Sequence, residues 1–549
     1  GLDLGLESAA LGGQPFFEGD VVTVDFGTGG IYRGRIPQRS ESRLASGEGH
    51  MIWPFQSVMH IAWEMAPFVK KGGLADVIGE LPLAMKRKYP GIDINVIIPY
   101  HRDINLGGVV PVSAGTFQYE SPEGIQSWEA FKIEHHGLTV FLLQRLSTGH
   151  QKFAPLFQKG YQTDNFYEGA NFSKAAVEFM AQNNIRPDII HPHDQTAAHV
   201  PVILRDTRDA FFMESAVFYT AHHFAGAYQG KEDLGRARSY LMGLGLSARL
   251  FSEGGPVVWG GKFNALRGAS LYPDMVSTVS GHFAWEAANS DLSEGLQHVL
   301  KPRYVDTKTF LGITNAIDKV MWSSRKGAGI QFPFEASTME VGKRANKEYL
   351  QVKYGLKRDA NAPLLSFVSR YDPWVKGFDI VPAVVGELLN NYEELQVVFA
   401  GAGDKGVENA LADLKKIYPD RVYVSPGFVD ADTVRFILAG SDFVGMPSRI
   451  EPAGLVQQQG LLLGAVPIVT RVGGLEETVH DPFFTHGIGV QTGFKSNLTD
   501  HLAMTFSWAC VRALEMFRAN KNLLTRIRLD GLDSVSSWDD RVDEYFEAY

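Results

Sequence analysis

Pro67-Phe68-Val69-Lys70-Lys71-Gly72-Gly73-Leu74-Ala75-Asp76-Val77-Ile78-Gly79-Glu80-Leu81-Pro82 is the stretch on which the fold turns. It follows an apolar run, Val58-Met59-His60-Ile61-Ala62-Trp63-Glu64, which reads as a buried strand bounded by a turn. Behind it Leu74, Val77, Ile78, Leu81 and Met85 recur at three- and four-residue spacing, one face of a helix. A lysine and two glycines therefore sit on the loop between a first strand and a first helix. Glycine lets a ligand approach the backbone, and a helix start offers N–H groups and the positive end of its dipole to a phosphate. An ordinary strand–turn–helix connection with an incidental lysine fits the same residues, and both readings stand at this point.

Outward from that loop the pattern repeats. Apolar runs at 57–64, 94–99, 138–143, 189–193, 216–220 and 275–280 alternate with amphipathic helices such as 172–182, 196–205 and 262–271. After an irregular region around Asn315-Ala316-Ile317-Asp318 and a helix at 341–354, a second series begins. Its strands are 364–369, 396–400, 422–425, 443–446 and 467–470; its helices include 380–390, 407–418, 431–440 and 456–463. The alternation predicts an α/β chain of two doubly wound, Rossmann-like domains, with ligand bound in the cleft between their strand C-terminal ends. The expected division is a β-rich extension and linker over 1–50, an N-terminal domain over 52–312, a C-terminal domain over 313–525 and a closing segment over 526–549.

Composition narrows the function. A chain of 549 residues exceeds one core. With 45% hydrophobic and 21% charged residues it is an ordinary globular protein. No apolar run reaches the roughly 20 residues that span a bilayer. The net charge of -10 disfavours a nucleic-acid or anionic-membrane partner, so an anionic ligand must meet a local basic pocket. The single cysteine, Cys510, excludes an intramolecular disulfide and fits a reducing compartment. The chain starts Gly1-Leu2-Asp3, which suggests a processed or truncated product.

Residues 19–34 hold two short β-prone runs around a Gly/Thr turn, and 38–50 read as a linker. The first pattern resembles the closing hairpin of the swivelling phosphohistidine domain of phosphoenolpyruvate-utilising enzymes and dikinases. It implies an upstream fused domain whose phosphorylated histidine would precede residue 1.

Chemistry-bearing residues collect at strand ends. His191-Pro192-His193-Asp194 closes one strand, and His222-His223 follows another. A His-x-His pair suggests zinc, but no third and fourth ligand stand at metal spacing, so no metal is expected. In the second series Arg370 ends a strand and Lys376 follows in its loop, while Glu451-Pro452-Ala453-Gly454-Leu455 and Gly473-Gly474-Leu475 each open a helix. Singly these are solvated loop charges and turn glycines. Together they lie on one edge of each sheet, where two cations and two Gly-rich helix starts suit a pyrophosphate and a carboxylate with a histidine suits a sugar ring.

In this order the motifs resemble those of the bacterial glycogen synthases and plant starch synthases, glycosyltransferase family 5, with the GT-B fold. The resemblance runs from about residue 57 to 549. It rests on Lys70-Lys71-Gly72-Gly73-Leu74-Ala75-Asp76-Val77, His191-Pro192-His193-Asp194, Thr220-Ala221-His222-His223 with Tyr228-Gln229-Gly230, and Gly261-Lys262-Phe263-Asn264. Thr278-Val279-Ser280, Asn315-Ala316-Ile317-Asp318, Ser369-Arg370 with Lys376-Gly377, Pro447 to Leu455, and Gly473-Gly474-Leu475 complete it.

The resemblance implies transfer of glucose from ADP-glucose to the non-reducing end of an α-1,4-glucan or malto-oligosaccharide, with retention and without cofactor or metal. It implies that Lys70 with Gly72 and Gly73 contacts the donor diphosphate, that Asp76 orients donor sugar or acceptor, and that His193 holds the transferred glucose by main chain and ring. Arg370 and Lys376 would pair the departing diphosphate, Glu451 hold sugar hydroxyls, and Asn264 lie beside the sugar. Gly473, Gly474 and Leu475 would bind phosphate, with His222, His223 and Tyr228 on the acceptor side. The closing aromatic segment 538–545 would return to the N-terminal domain. A bacterial-type cytoplasm, or alternatively a plastid stroma, is the implied compartment, with no membrane or nucleic-acid partner.

Physical chemistry supports such a set: without a metal, a guanidinium and an ammonium must stabilise the departing diphosphate. Departures from the family pattern are His223 for Asn, Gln195 for Trp, Ala453 for Cys, Ala316 for Gly and Val472 for Thr, and an Arg370–Lys376 spacer one residue longer. They keep open a UDP-glucose-using transferase and a catalytically weak glucan-binding scaffold.

Overall fold

The computed structural model describes residues 53–549 apart from 147–163, 208–209, 326–329 and 485–489, and before residue 53 only the backbone of short strands. The chain divides into two compact units, Gly1–Gln56 and Ser57–Tyr549. In the first, Val22–Asp25 pairs antiparallel with Gly30–Arg33, the two β-prone runs read from sequence. The turn between them and most of the expected linker lie outside the described residues.

The second unit contains two large sheets. The first is built from β1 (Ser57–Ile61), β2 (Asp93–Pro99), β3 (Val112–Ser121), β4 (Gly124–His135), β5 (Leu138–Arg145), β6 (Ile189–Pro192), β7 (Ala216–Ala221), β8 (Met275–Thr278) and β9 (Phe310–Gly312). Their order is β9-β8-β7-β6-β1-β2-β5-β4-β3. All neighbours are parallel except the antiparallel pairs β5/β4 and β4/β3. The parallel strands β1 and β6 are almost wholly buried, which explains their continuous apolar runs. β3 and β4 alternate, with Phe117, Tyr119, Trp128 and Ala130 turned to the core.

The second sheet contains β10 (Leu364–Val368), β11 (Gln396–Ala400), β12 (Val422–Val424), β13 (Phe443–Met446), β14 (Val466–Thr470) and β15 (Phe494–Ser496) in the order β12-β11-β10-β13-β14-β15, all parallel. Separate aromatic cores serve the two sheets: Trp63, Trp128, Phe172 and Tyr219 under the first, Phe367, Phe399, Phe443 and Phe506 under the second. Two Rossmann-like halves are thus present, as the alternation predicts.

In each sheet the chain leaves a central strand in one direction and later returns to its other side. These reversals fall between β1 and β6 and between β10 and β13. Crevices at such points are where open α/β sheets bind ligands. Helix α1 (Gly73–Lys88) follows β1, burying Ala75, Val77, Ile78, Leu81 and Met85. Gly79 is required there, since a Cβ would stand 2.5 Å from the Ala66 carbonyl oxygen. The last helix, Trp538–Ala548, returns to α1: Phe546 stacks on Tyr89, Asp543 pairs with Lys88, and Trp538 donates to Glu80. None of the described helices is long and apolar enough to cross a membrane.

Candidate active site at the two strand-order reversals

After β1 the chain runs on to Glu64, which is buried. Burial pushes its carboxyl up to about 7 from the ordinary 4.5, against the opposing pull of backbone N–H groups. Its oxygens accept from the Lys71 amide at 2.5 Å and the Gly72 amide at 3.1 Å. The phosphate cradle expected of Gly72 therefore needs correcting: this amide already holds a carboxylate of its own domain. Gly73 faces the other half, where a Cβ would lie 4.0 Å from Leu455 Cδ1. Lys70 stands at the rim, its Nζ 2.6 Å from Asp76 Oδ1.

β6 ends beside this loop. His193 donates its amide to the Ile61 carbonyl, and Asp194 donates its own to the Thr220 carbonyl, tying β6 to both neighbours. Asp194 adopts φ 61° and ψ −178°, a region almost confined to glycine, at a cost of about 1–3 kcal/mol. Burial pushes its carboxyl up to about 7, against the pull of the nearby Gln195 and His222 N–H groups, and Oδ1 has no hydrogen-bond partner among the described residues. The strained turn thereby holds His193 against both neighbouring strands.

The rings behind them form a chain. His193 Nε2 is 3.0 Å from His60 Nδ1, and His193 Nδ1 is 3.4 Å from His222 Nε2. The sequence shows no third and fourth ligand at metal spacing, but the fold brings His60 beside His191 and His193, with ligand atoms of all three within 4.8 Å of one another. His191, however, commits Nδ1 to the Tyr549 hydroxyl and Nε2 to Thr220 Oγ1, and its ring stacks on that of His193 at 3.9 Å. The contacts of His191 and His193 make a hydrogen-bond chain, while His60 Nε2 is buried without a partner among the described residues. Burial holds all four imidazoles well below their usual pKa and hence neutral.

In the second half, Arg370 follows β10 and pairs with Asp372 at 3.4 Å. The loop to Lys376 is pinned on the loop after β13: Arg449 and Ile450 donate their amides to the Val375 carbonyl. Gly377, at φ 70°, leaves no room for a side chain, since a Cβ would stand 2.1 Å from the Pro447 carbonyl oxygen. This places Lys376 Nζ 2.8 and 2.7 Å from the two oxygens of Glu451, which also accepts from Ser448 Oγ.

Two further expectations shift. Gly473 and Gly474 open helix α2 (Gly473–Thr478), but their amides do not wait for a phosphate. Gly474 donates to the carbonyls of Glu451 and Pro452, and Gly473 donates to both oxygens of Glu286. A Cβ on either would come within 2.1 Å of the Glu451 or Ala453 carbonyl oxygen, so these glycines permit close backbone packing. Leu475 is part of the buried core behind them. Asn264 is also buried, capping the Arg267 amide and donating to Gln229, which in turn ties down the carbonyls of Phe224 and Ser293. Those contacts position the 222–229 loop.

The structure thus gathers Lys70, Asp76, His193 and His222 at one reversal and Arg370, Lys376 and Glu451 at the other. Tyr228 stacks on His223 at 4.2 Å beside the first group. Sequence reasoning missed Glu64, His60, Glu286 and Glu477. Only Glu64 offered a signal, an acid closing an apolar strand just before the glycines. Glu477 accepts from the His282 amide and, at 2.5 Å, from Thr314 Oγ1, while Glu286 caps Gly473 in return. Ser280 Oγ reaches the Pro452 carbonyl at 2.5 Å, so the first half grips the Glu451 loop directly.

Comparison with known proteins agrees with this fold. The starch synthase catalytic domain family matches residues 57–302, and glycosyl transferases group 1 matches residues 362–507. The chain is 30% identical over 504 residues to a glycogen synthase of Thermotoga maritima, covering 90% of this chain and 98% of that protein. A glycogen synthase of Streptococcus pneumoniae is 30% identical over 498 residues with the same coverage. Among solved structures, the catalytic domain of starch synthase IV from Arabidopsis thaliana bound to ADP and acarbose superposes with a TM-score of 0.79 at 26% identity, covering 90% of this chain and 99% of that one. A sucrose-phosphate synthase of Thermosynechococcus elongatus, at 16% identity and a TM-score of 0.54, shares the fold.

Proposed function

The chain belongs to the glycogen and starch synthase family, and from that premise we propose that it transfers glucose from ADP-glucose to the non-reducing end of an α-1,4-glucan, retaining configuration and releasing ADP. The observation that carries this reading is that Lys70 and His193 stand at one strand-order reversal and Arg370, Lys376 and Glu451 at the other. The ADP in the related starch synthase structure supports the choice of nucleotide.

Each cation of the set is held by a carboxylate: Lys70 by Asp76, Arg370 by Asp372, Lys376 by Glu451. Donor binding is then an exchange. The diphosphate takes Lys376 from Glu451, and the freed carboxylate turns to accept hydroxyls of the donor glucose. The arriving anion thereby orders the sugar and its leaving group in one step. As the glycosidic bond breaks, negative charge grows on the departing phosphate beside Lys376, Arg370 and Lys70, which stabilise it without reorganising. His193, locked between His60 and His222, presents a fixed, neutral surface to the sugar face. Acceptor glucan enters beside His222 and Tyr228, and no cofactor or metal is needed.

Incorporation of labelled glucose from ADP-glucose and UDP-glucose into glycogen tests this, with Lys70→Ala and Glu451→Ala as controls. ADP-glucose should be the better donor, and each variant should lose on the order of 10²-fold in rate while folded. Glucan binding without incorporation from either donor would identify a scaffold instead. The resemblance of residues 19–34 to a swivelling-domain hairpin remains a separate proposal, tested by the intact mass and upstream sequence of the native protein.

A further inference from the structure

A reciprocal pair of carboxylates ties the two halves together. Helix α2 of the second half lies against the helix Gly281–Asn289 of the first, and each supplies an acid to the other's start. Glu477 accepts from the His282 amide, and both oxygens of Glu286 accept from the Gly473 amide at 3.2 Å. Gly281 is required at this crossing, since a Cβ would stand 2.8 Å from Glu477 Oε1. The His282 side chain reaches the same junction, its Nε2 3.4 Å from Glu286 Oε1 one turn along the helix. Three acids, Glu286, Glu476 and Glu477, thus meet two cations, Arg471 and Lys495, which pair with Glu476 at 3.0 and 2.9 Å. A proton on His282 supplies the third positive charge. His480, which lines a cavity with Glu477, is held down by burial and by Lys495. The other elements packed on the helix of His282 turn their charged groups elsewhere: His298 stacks on Trp259, Lys301 lines the cavity beside that ring, Arg303 donates to the carbonyls of Pro273 and Asp274, and Asp291 accepts from Gln297.

We propose that His282 is a positioning residue for the transfer: its imidazolium holds Glu286 on the Gly473 helix start and so sets the Glu451 loop against the first half. The relay is short. Gly473 and Gly474 pack directly on the backbone of Glu451, and Gly474 donates to the carbonyls of Glu451 and Pro452 at 3.1 Å. Ser280, which caps the helix of His282, donates to the same Pro452 carbonyl. The helix start that carries His282 therefore holds the loop that carries Glu451 from two sides. Protonation turns the His282–Glu286 contact into a charge-assisted pair, about twice as strong as a neutral one. That contact raises the imidazole above its usual range against the effect of burial, and the charges of Glu476 and Glu477 add to it. A group raised in this way gives its full support below its ordinary pKa and withdraws it as pH rises through the folded value. The junction is tight in mild acid and slackens as the proton leaves. His282 acts through Glu286, and the inference rests on the reading of the site in the preceding section.

The test is the pH profile of kcat/KM for ADP-glucose, measured on the full chain with glycogen from pH 6 to 9 for wild type, His282→Gln and His282→Lys. Titrations common to all three, Glu64 among them, cancel when each variant is divided by wild type. His282→Gln keeps an N–H donor without the charge and should be about threefold slower than wild type at pH 6, converging with it at pH 9. His282→Lys keeps the charge and should match wild type at pH 6 and exceed it about threefold at pH 9. The KM for glycogen should stay unchanged in both. A His282→Gln ratio that does not vary with pH, or a His282→Lys profile that follows His282→Gln, overturns the positioning role. NMR titration of His282 needs no turnover: its pKa should fall in Glu286→Gln, and an unchanged value overturns the proton link. Wild-type protein that transfers no glucose from ADP-glucose overturns the reading of the site instead.

Discussion

Glu64→Gln is the substitution that best separates what stabilises this protein from what makes it work. Glu64 carries its carboxyl at about 7 instead of 4.5 because burial outweighs the amides of Lys71 and Gly72 that donate to it. A carboxyl raised in the folded state binds its proton more tightly there than in the unfolded chain. Its contribution to stability is complete below pH 4.5 and is lost as pH rises through about 7. At roughly 1.36 kcal/mol per pH unit, the ionised form costs the fold about 3 kcal/mol at pH 8. Glutamine resembles the protonated acid, so Glu64→Gln should be the more stable protein at pH 8, by about 3 kcal/mol or on the order of 3–5 °C in Tm. The two proteins should converge towards pH 5. Activity should move the other way. An amide cannot accept from Lys71 and Gly72 with both ends, so the loop that carries Lys70 loses its clamp, and transfer should fall at least 10-fold at pH 8. Wild-type activity should likewise decline as pH falls through about 7. Thermal melts at pH 5, 6, 7 and 8 alongside initial rates decide the matter. A variant less stable than wild type at pH 8, or a stability difference that ignores pH, would refute the reasoning.

Three other outcomes are expected. Glu477→Ala removes the acceptor shared by His282 and Thr314 and should lower kcat about 10-fold by loosening the register of the two halves, with little change in the KM for glucan, as steady-state kinetics will show. Asp194→Gly relieves a backbone conformation that costs about 1–3 kcal/mol and removes a buried acid, so the urea midpoint should rise while transfer activity falls. Asp442→Ala strips the buried partner from Lys347 at 2.5 Å and Arg528 at 2.7 Å and should destabilise the fold by about 3–5 kcal/mol, visible in equilibrium unfolding.

Much of the architecture was legible because buried parallel strands and amphipathic helices write different periods into the chain. β3 and β4 escaped because their half-buried, polar-rich alternation reads as loop unless Phe117, Tyr119, Trp128 and Ala130 are seen as one face. Lys262–Asn264 forms a short strand where the periodicity predicts the start of a helix, since its antiparallel pairing with Val258–Trp259 and Lys231–Asp233 outweighs local preference. At the site, the basic residues and Glu451 stood out in the sequence as a set at the strand ends of each sheet, although each alone reads as a solvated loop charge. The glycines misled. A residue without a side chain admits a phosphate or another backbone equally well, and only the 2.1 Å approach of the Glu451 carbonyl oxygen to a Cβ on Gly473 tells which. Glu286 could not have been found, because its partner lies 187 residues away.

The filled glycine loops change how the cleft must choose its ligand. With Glu64 on one helix start and Glu286 on the other, the positive charge available to an anion comes from Lys70, Arg370 and Lys376. Each of these already faces a carboxylate, so the resting cleft is locally balanced within a chain of net charge -10. A lone phosphate could displace one carboxylate and would leave that acid unpaired in a half-buried wall, which offsets the gain. A diphosphate joined to a sugar can displace several at once, and its hydroxyls re-employ the acid that Lys376 releases. Selectivity for a nucleotide sugar over free anions then follows from the pairing itself: only a ligand that brings both the anion and the hydroxyls leaves no charge stranded.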